Sequence, residues 1–169
     1  MKFTIPLVPK AQMRARHGRT KSGFSVTYKA DGQRRQEDML CAMLQAHRPE
    51  SPLGGPLSLK VTAYLPIPMS WSGKRIVEAE KGKIHPDCKP DIDNLVKNLC
   101  DCLTAMSFWH DDKQIVFLTA GKLYNDGRGP RWEVEITSVP PDGGGKSISQ
   151  KPKTQTTIAA RPEANGVEF

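Results

Sequence analysis

The segment that decides the fold lies at residues 90–106 and reads PDIDNLVKNLCDCLTAM. Its apolar side chains recur every three or four residues, so a helix would carry them on one face. They are Ile92, Leu95, Val96, Leu99, Cys100, Leu103 and Met106. Pro90 suits the first turn of a helix, where its missing N–H needs no partner. The sequence therefore predicts a central helix over Pro90–Met106 that packs on a core by this face.

Four segments are predicted over residues 2–66, on the N-terminal side of this helix. Lys2–Pro9 alternates apolar and polar residues and predicts a strand, which Pro6 favours at the edge of a sheet. Lys10–Gly23 is basic, contains glycine and has no apolar period, which predicts a loop. Asp31–His47 carries apolar residues at helical spacing and predicts a helix. Residues 57–66 predict a half-buried strand that ends at the closing proline.

Elements of both kinds are also predicted around and after the central helix. Ser70–Glu80 predicts a short helix with Ser70 as its N-cap. Gln114–Tyr124 and Arg131–Val139 predict two strands. Because the six residues between these strands are rich in turn formers, we expect the strands to pair as a hairpin.

The chain has 169 residues and 37% apolar content, which is enough for one modest core. We therefore predict a single domain over residues 1–139. Residues 140–169 are polar and glycine-containing, so they are predicted to form a disordered tail that the chemistry does not need. The order of strands and helices predicts an α/β fold, with α+β as the alternative: a small mixed sheet with helices packed on it.

Charge and composition indicate where in the cell the protein acts and what kind of partner it binds. The net charge is +7, and the first 35 residues hold nine Lys or Arg against the single acid Asp31. This asymmetry favours a polyanionic partner, although a basic solubilising surface has the same composition. The sequence has no run of 18 apolar residues and no secretory signal, so we expect a cytoplasmic protein without a membrane segment.

Cysteine spacing argues against a disulfide framework and against zinc. Cys41, Cys88, Cys100 and Cys102 form no CxxC pair, which favours reduced thiols. His85 lies near Cys88, but no second pair of ligands stands at zinc spacing.

Carboxylates cluster at both ends of the central helix. Asp91 and Asp93 stand at its start, and Asp112 follows about one helix and one turn later. Because residues two apart on a helix point about 200° apart, Asp91 and Asp93 can share an ion only if Asp91 lies at or before the first turn. Carboxylate oxygens suit magnesium, which would act on a scissile phosphate. Lys97 stands on the same polar side as Asp93 and Asp101, where it can stabilise charge on phosphate.

A purely structural interpretation of these acids stays open at this point. Acids at a helix N-terminus interact well with the helix dipole, and Asp93, Lys97 and Asp101 form ordinary i,i+4 pairs. Asp111 and Asp112 are common turn formers. Spacing alone therefore does not decide between a metal site and a solvated helix.

One longer pattern is more specific than any of these features. It runs from KPDIDNLVK at residues 89–97 through DCLT at 101–104 to FWHDDKQI at 108–115. In this pattern the chain resembles the RusA family of Holliday-junction resolvases. Val8-Pro9-Lys10 with Arg14 resembles the family's N-terminal motif, and the predicted closing hairpin also fits, so the resemblance covers residues 1–139. Gln12 and Met13 depart from the basic or proline residues of many relatives, and Met69–His85 is longer than in the shortest members.

The resemblance implies a homodimeric, magnesium-dependent endonuclease, frequently phage-borne, that nicks four-way DNA junctions symmetrically. Asp91, Asp93 and Asp112 fall on the family's metal-binding aspartates, and Lys97 falls on its essential lysine. We expect manganese to substitute for magnesium and no small-molecule cofactor to be needed. A C2 dimer makes physical sense, because it presents identical sites to two opposed strands.

Basic residues in predicted loops or beside the acidic helix are candidates for phosphate contacts. They are Lys10, Arg14, Arg16, Arg19, Lys21, Lys74, Arg75, Lys81, Lys83 and Lys89. A solvated surface role fits each of them equally well. Trp71, Phe108 and Trp109 are expected in the core or a dimer interface rather than as stacking platforms.

Three functions are therefore compared. The first is a junction-selective nuclease active in recombination and repair. The second is a non-catalytic protein that binds branched DNA and whose acids are only structural. The third is a small-molecule phosphohydrolase, which would leave the basic N-terminal region unexplained.

Overall fold

A computed structural model describes residues 1–12, 16–19, 22–28 and 31–140. The strands are β1 (Lys2–Ile5), β2 (Arg16–Arg19), β3 (Ser25–Tyr28), β4 (Leu57–Leu65), β5 (Ile115–Tyr124) and β6 (Arg131–Ser138). The α-helices are α1 (Asp31–Leu44), α2 (Gly73–Glu80) and α3 (Ile92–Ala105). Two single-turn 3₁₀ helices cover Gln45–His47 and Asp112–Gln114.

Four strands form a mixed sheet in the order β1-β6-β4-β5. β4 pairs in parallel with β5 and antiparallel with β6, and β6 pairs antiparallel with β1. The predicted edge position of the first strand is therefore confirmed, with β1 ending just before Pro6. The arrangement confirms the predicted α/β fold class, a small mixed sheet with helices packed on it.

The predicted hairpin of the last two strands is wrong, because β4 lies between β5 and β6. Strands two positions apart in a sheet are separated by about 10 Å, a distance that the six-residue loop 125–130 can span. The loop passes the end of β4, where the Asn125 amide donates to the Leu65 carbonyl (2.8 Å). β4 alternates apolar and polar residues over nine positions and can be paired on both sides, so it takes the central place.

The core lies between one face of the sheet and the helices α1 and α3. Leu40 and Leu44 of α1, Leu99 and Leu103 of α3, and Leu59 of β4 are completely buried. The apolar side of α3 from Leu95 to Leu103 therefore faces the core as predicted, whereas Ile92, which was predicted on the same face, is 38% exposed. The sheet's other face carries polar side chains, including Lys60, Thr62 and Glu133.

The start of two helices differs from the prediction. Asp91 is the N-cap of α3 with extended backbone, so Pro90 lies before the helix rather than in its first turn, and the Lys89–Pro90 peptide is cis. The N-cap of α2 is Ser72 rather than Ser70, and its hydroxyl makes no capping hydrogen bond with the described residues. Gly73 then opens the helix, so the chain enters it later than Ser70 would require.

The predicted loop Lys10–Gly23 is also wrong in part. β2 and β3 form a two-stranded antiparallel sheet that pairs Arg16 with Tyr28 and Arg19 with Ser25. β2 reads RHGR, which has no apolar alternation, so the sequence offered no signal for it. Residues 13–15, 20 and 21 of the predicted loop lie outside the described residues.

None of the four cysteines forms a disulfide within the described residues, and Cys100 and Cys102 are both buried. None of the helices in the described ranges is long and apolar enough to span a membrane. The predicted tail lies, from residue 141 onward, outside the described residues.

Candidate active site

The start of α3 presents the first two predicted aspartates. Asp91 has φ −71° and ψ 140°, and its carbonyl accepts the first helical bond from the Leu95 amide (3.1 Å). Asp93 stands in the first turn, and both carboxylates belong to exposed residues. The structure thus confirms that Asp91 lies before the first turn. Two residues inside a helix would point their side chains about 200° apart. Because Asp91 has extended backbone, this constraint does not apply to Asp91 and Asp93.

Lys122 of β5 supports this start of the helix and was missed from the sequence. Its Nζ donates to the carbonyls of Cys88 (2.6 Å) and Pro90 (3.1 Å). The ammonium therefore ties β5 to the segment that leads into α3 and brings a positive charge close to Asp91. A lysine within a predicted strand carries no sequence signal for such a contact, because its partners lie more than 30 residues away.

The third predicted aspartate, Asp112, lies in the turn that follows α3. Ser107, with a φ of 58°, reverses the chain after the helix. Phe108 and Trp109 are then buried, and the Trp109 indole donates to the Thr104 hydroxyl (2.7 Å). Asp112 follows as the first residue of a 3₁₀ turn, which Asp111 caps by accepting from the Lys113 amide (2.9 Å). The turn thus stands on buried aromatic residues, which confirms that Phe108 and Trp109 belong to the core.

A cleft of about 600 Å³ is lined by residues of α3, by Asp112 of the following turn and by residues of β5. Its charged lining consists of Asp93, Lys97, Asp101 and Asp112. Its apolar lining consists of Ile92, Val96, Cys100, Ile115, Leu118 and Ala120. Acids from α3 and from the turn before β5 therefore share one cavity with Lys97, as the sequence predicted for Asp93, Asp112 and the lysine.

Electrostatics confirm the closeness of Asp112 to the middle of α3. The pKa of the Cys100 thiol is raised to about 12, mainly by burial and also by the negative charges of Asp112 and Asp101, while Lys97 acts in the opposite direction. Cys100 is thus an uncharged wall of the cleft at neutral pH.

The structure does not bring all three predicted ligands into a closed set. Asp91 stands beside the cleft rather than among its lining residues, and the described residues contain no group of three His, Cys, Asp or Glu arranged to hold a metal. Magnesium, however, is usually held by one or two carboxylates together with water and substrate phosphate. The hard oxygen donors of Asp93 and Asp112 on an open cleft fit that ion. They do not resemble the closed nitrogen and sulfur set of a structural zinc site.

Lys97 is held loosely, and among the described residues it pairs with one acid of its own helix. Its Nζ lies 3.7 Å from the Asp101 carboxylate, and 62% of the lysine side chain is exposed. The other oxygen of Asp101 accepts from the Gln12 side-chain amide (2.6 Å). The ammonium group therefore stays accessible to a substrate phosphate, while Asp101 is fixed by two groups.

The N-terminal segment lies along α3 and contributes Gln12, a residue that sequence reasoning treated as a departure from the family. The backbone amide of Gln12 donates to the Asn94 carbonyl (3.0 Å). The buried Asn98 side chain donates to the Lys10 carbonyl (3.0 Å). Gln33 of α1 in turn donates to Asn98 (3.3 Å). These contacts place Lys10, which is exposed, beside the helix that carries the acids.

The remaining predicted DNA contacts are spread over several elements. Lys89 is exposed immediately before α3, and Lys74 and Arg75 are exposed in the first turn of α2. The Arg75 guanidinium lies 3.9 Å over the half-buried Trp71 ring. Lys81 and Lys83 are exposed after α2. Of the N-terminal residues, Arg16 and Arg19 belong to β2, whereas Arg14 and Lys21 lie outside the described residues.

Comparison with known proteins matches the sequence to a known nuclease family. The family described as Endodeoxyribonuclease RusA matches residues 6–137. The chain is 36% identical over 141 residues to the uncharacterized protein YqaN of Bacillus subtilis (strain 168), which covers 82% of this chain and 96% of YqaN. It is 39% identical over 87 residues to the crossover junction endodeoxyribonuclease rusA of Lactococcus phage r1t, which covers 50% of this chain and 56% of the phage protein. The resemblance inferred from the sequence motifs is thereby confirmed, and the chain belongs to the RusA endodeoxyribonuclease family.

Proposed function

We propose that this chain is a structure-selective endodeoxyribonuclease that resolves four-way DNA junctions by magnesium-dependent, paired nicking of opposed strands. One observation carries the proposal: Asp93, Asp112 and Lys97, which come from two separate elements, line the same open cleft. The family supports a nuclease, and the phage relative is named for crossover junctions. The net charge of +7 suits a phosphate-rich substrate.

Asp93 and Asp112 would hold the magnesium ion, with Asp91 completing the set from the N-cap position. When bound, magnesium supplies Lewis-acid polarisation of the scissile phosphate and lowers the pKa of the attacking water. Manganese has the same preference for oxygen ligands, so we expect it to substitute. The proposal needs no small-molecule cofactor.

Lys97 would stabilise the negative charge that builds on the phosphate during hydrolysis. Its side chain is exposed in the cleft, and its ion pair with Asp101, at 3.7 Å, is long enough to leave the ammonium available. A cation that already lies where negative charge develops in the transition state lowers the activation barrier, because no groups have to rearrange during the reaction. Lys10 and Lys89, beside α3, would contact neighbouring phosphates and orient the strand; Arg14, Arg16, Arg19, Lys74 and Arg75 are the further candidates for this role.

The outer edge of β5 supports the proposal of a homodimer. β5 is the terminal strand of the described sheet, and Val116, Phe117 and Leu118 are 53%, 61% and 53% exposed. Exposed edge strands with large apolar side chains tend to pair with another chain. A second copy paired here through a twofold axis would cover these residues. Leu118 also lines the cleft, so the two active sites would lie close to the interface.

Purified protein incubated with end-labelled four-way, three-way and linear DNA, with and without magnesium, tests the function. We expect symmetric nicks in the four-way junction only when magnesium is present. Asp93→Asn should abolish nicking and leave junction affinity intact, whereas the matched control Asp38→Asn, on the exposed side of α1, should nick normally. Cleavage of linear duplex as fast as junction would refute junction selectivity.

The same assay separates the alternatives. A non-catalytic branched-DNA-binding protein would retain the junction in a gel shift and produce no nicks at any salt concentration. A small-molecule phosphohydrolase would release phosphate from nucleotides and leave the branched DNA uncut. Normal nicking by Asp93→Asn would show that the site is assigned to the wrong residues.

A further inference from the structure

The side-chain amide of Gln114 makes four hydrogen bonds. Its Nε2 donates to the carbonyls of Leu53 and Gly55, each at 3.0 Å. Its Oε1 accepts from the backbone amides of His110 (2.9 Å) and Asp111 (3.1 Å). A glutamine amide has two N–H donors and an oxygen with two lone pairs, so every hydrogen-bonding position of this side chain is occupied.

These bonds join the loop before β4 to the turn that carries Asp112. The loop is itself attached to the core, because the Leu53 amide donates to the carbonyl of buried Phe108 (2.9 Å) and Leu53 forms a β-bridge with Trp109. Gln114 thus connects a fixed loop to the two residues that immediately precede Asp112. Together with Asp111 it also forms a reciprocal capping box around the 3₁₀ turn.

Apart from the buried Phe108 and Trp109 that precede it, the turn has little support from packing among the described residues. Asp112 and Lys113 are exposed, and Asp111 and Gln114 are only half-buried, so few apolar contacts hold the turn. Its conformation therefore depends on hydrogen bonds, of which Gln114 makes four.

We propose that Gln114 is a positioning residue that orients the Asp112 turn so that the carboxylate of Asp112 faces Asp93 across the cleft. The proposal rests on the proposed function, because it gives Gln114 a role through Asp112. Groups that orient a ligating carboxylate contribute to metal affinity although they do not touch the ion, and their loss typically weakens binding about 10–100-fold.

Two substitutions separate this role from general stability. Gln114→Met keeps the length of the side chain and removes all four hydrogen bonds. Gln114→Glu keeps the shape, but an ionised carboxylate would direct negative charge at the carbonyls of Leu53 and Gly55. Gln45→Met and Gln45→Glu, at an exposed glutamine of the 3₁₀ turn after α1, are the matched controls.

The test combines three measurements on the full chain. For Gln114→Met, hydrogen exchange of the His110 and Asp111 amides should accelerate at least about 10-fold while exchange within α3 is unchanged. Titration calorimetry with magnesium alone should show affinity about 10-fold weaker, and excess magnesium should restore the nicking rate. Exchange of the same two amides should also accelerate in Gln114→Glu, because its carboxylate cannot donate to the carbonyls of Leu53 and Gly55.

The outcomes distinguish this proposal from the proposed function. If the unsubstituted chain nicks junctions with magnesium, and Gln114→Met keeps both its magnesium affinity and its amide exchange, the positioning role is refuted while the nuclease stands. A loss of activity in Gln114→Met that excess magnesium does not restore also refutes it. If the unsubstituted chain shows no magnesium-dependent nicking, the proposed function fails, and the role of Gln114 fails with it.

Discussion

Replacement of Arg131 by Met should destabilise the loop that carries the chain from β5 past β4 to β6. The Arg131 side chain is 6% exposed and pairs with Asp126 (2.7 Å) and Glu133 (2.8 Å), and its guanidinium lies 3.6 Å over the Tyr64 ring. Methionine fills a similar volume without charge. The substitution therefore leaves two carboxylates beside each other without their shared buried cation.

The expected loss of stability follows from how deeply Arg131, Asp126 and Glu133 are buried. Breaking a buried ion pair by removing one partner costs about 3–5 kcal/mol. Asp126 and Glu133 keep 28% and 29% of their side chains exposed, and Asp126 retains Arg128, so water and one cation still compensate part of the charge. We therefore expect a loss at or just below the lower end of that range, about 2–3 kcal/mol in the free energy of unfolding.

The effect should depend on pH with a defined sign. Hydrogen bonds from Arg131, and secondarily from Arg128, hold the pKa of the Asp126 carboxyl far below its usual value. A carboxyl whose pKa is lower in the folded than in the unfolded chain stabilises the fold at neutral pH and loses this contribution as the pH falls below about 4. The difference in stability between the unsubstituted chain and Arg131→Met should accordingly shrink on acidification.

Urea unfolding followed by tryptophan fluorescence measures the difference. With a typical dependence of about 2 kcal/mol per molar urea, the midpoint of Arg131→Met should fall by about 1–1.5 M at neutral pH. Arg128→Met, which removes an exposed arginine from the same carboxylate, is the control and should shift the midpoint much less. Equal shifts for the two variants, or a difference that grows in acid, would refute the reasoning.

Two further predictions concern the proposed function directly. Lys97→Met should lower kcat about 10²–10³-fold at unchanged junction affinity, because it removes charge stabilisation in the transition state, whereas Lys60→Met on the opposite face of the sheet should cleave normally in the same gel assay. Phe117→Glu should convert the protein to a monomer in analytical ultracentrifugation, while Met39→Glu, at a comparably exposed apolar residue of α1, should not. A Lys97→Met variant with full kcat, or a Phe117→Glu variant that still dimerises, would contradict the respective assignment.

The local pattern of the chain was sufficient to predict most of the elements and part of the site. The spacing of Leu95, Leu99 and Leu103 predicted α3 and its buried face, and alternation predicted β1, β4, β5 and β6 to within a few residues. The geometric requirement that Asp91 precede the first turn was also correct. These features depend on the periodicity of side chains within one segment, which neighbouring residues determine by themselves.

Only the tertiary structure decided how the segments combine. The central place of β4 between β5 and β6 depends on pairing across more than 50 residues, for which a turn-rich loop gave a misleading local signal. Gln12 reaches Asp101 over 89 positions, Gln114 reaches Leu53 over 61, and Lys122 reaches Cys88 over 34. Contacts of this kind leave no period in the sequence, because a single polar side chain meets a single distant partner. The sequence by itself thus determined which acids and which lysine stand on α3, and the fold determined the neighbours that hold them around one cleft.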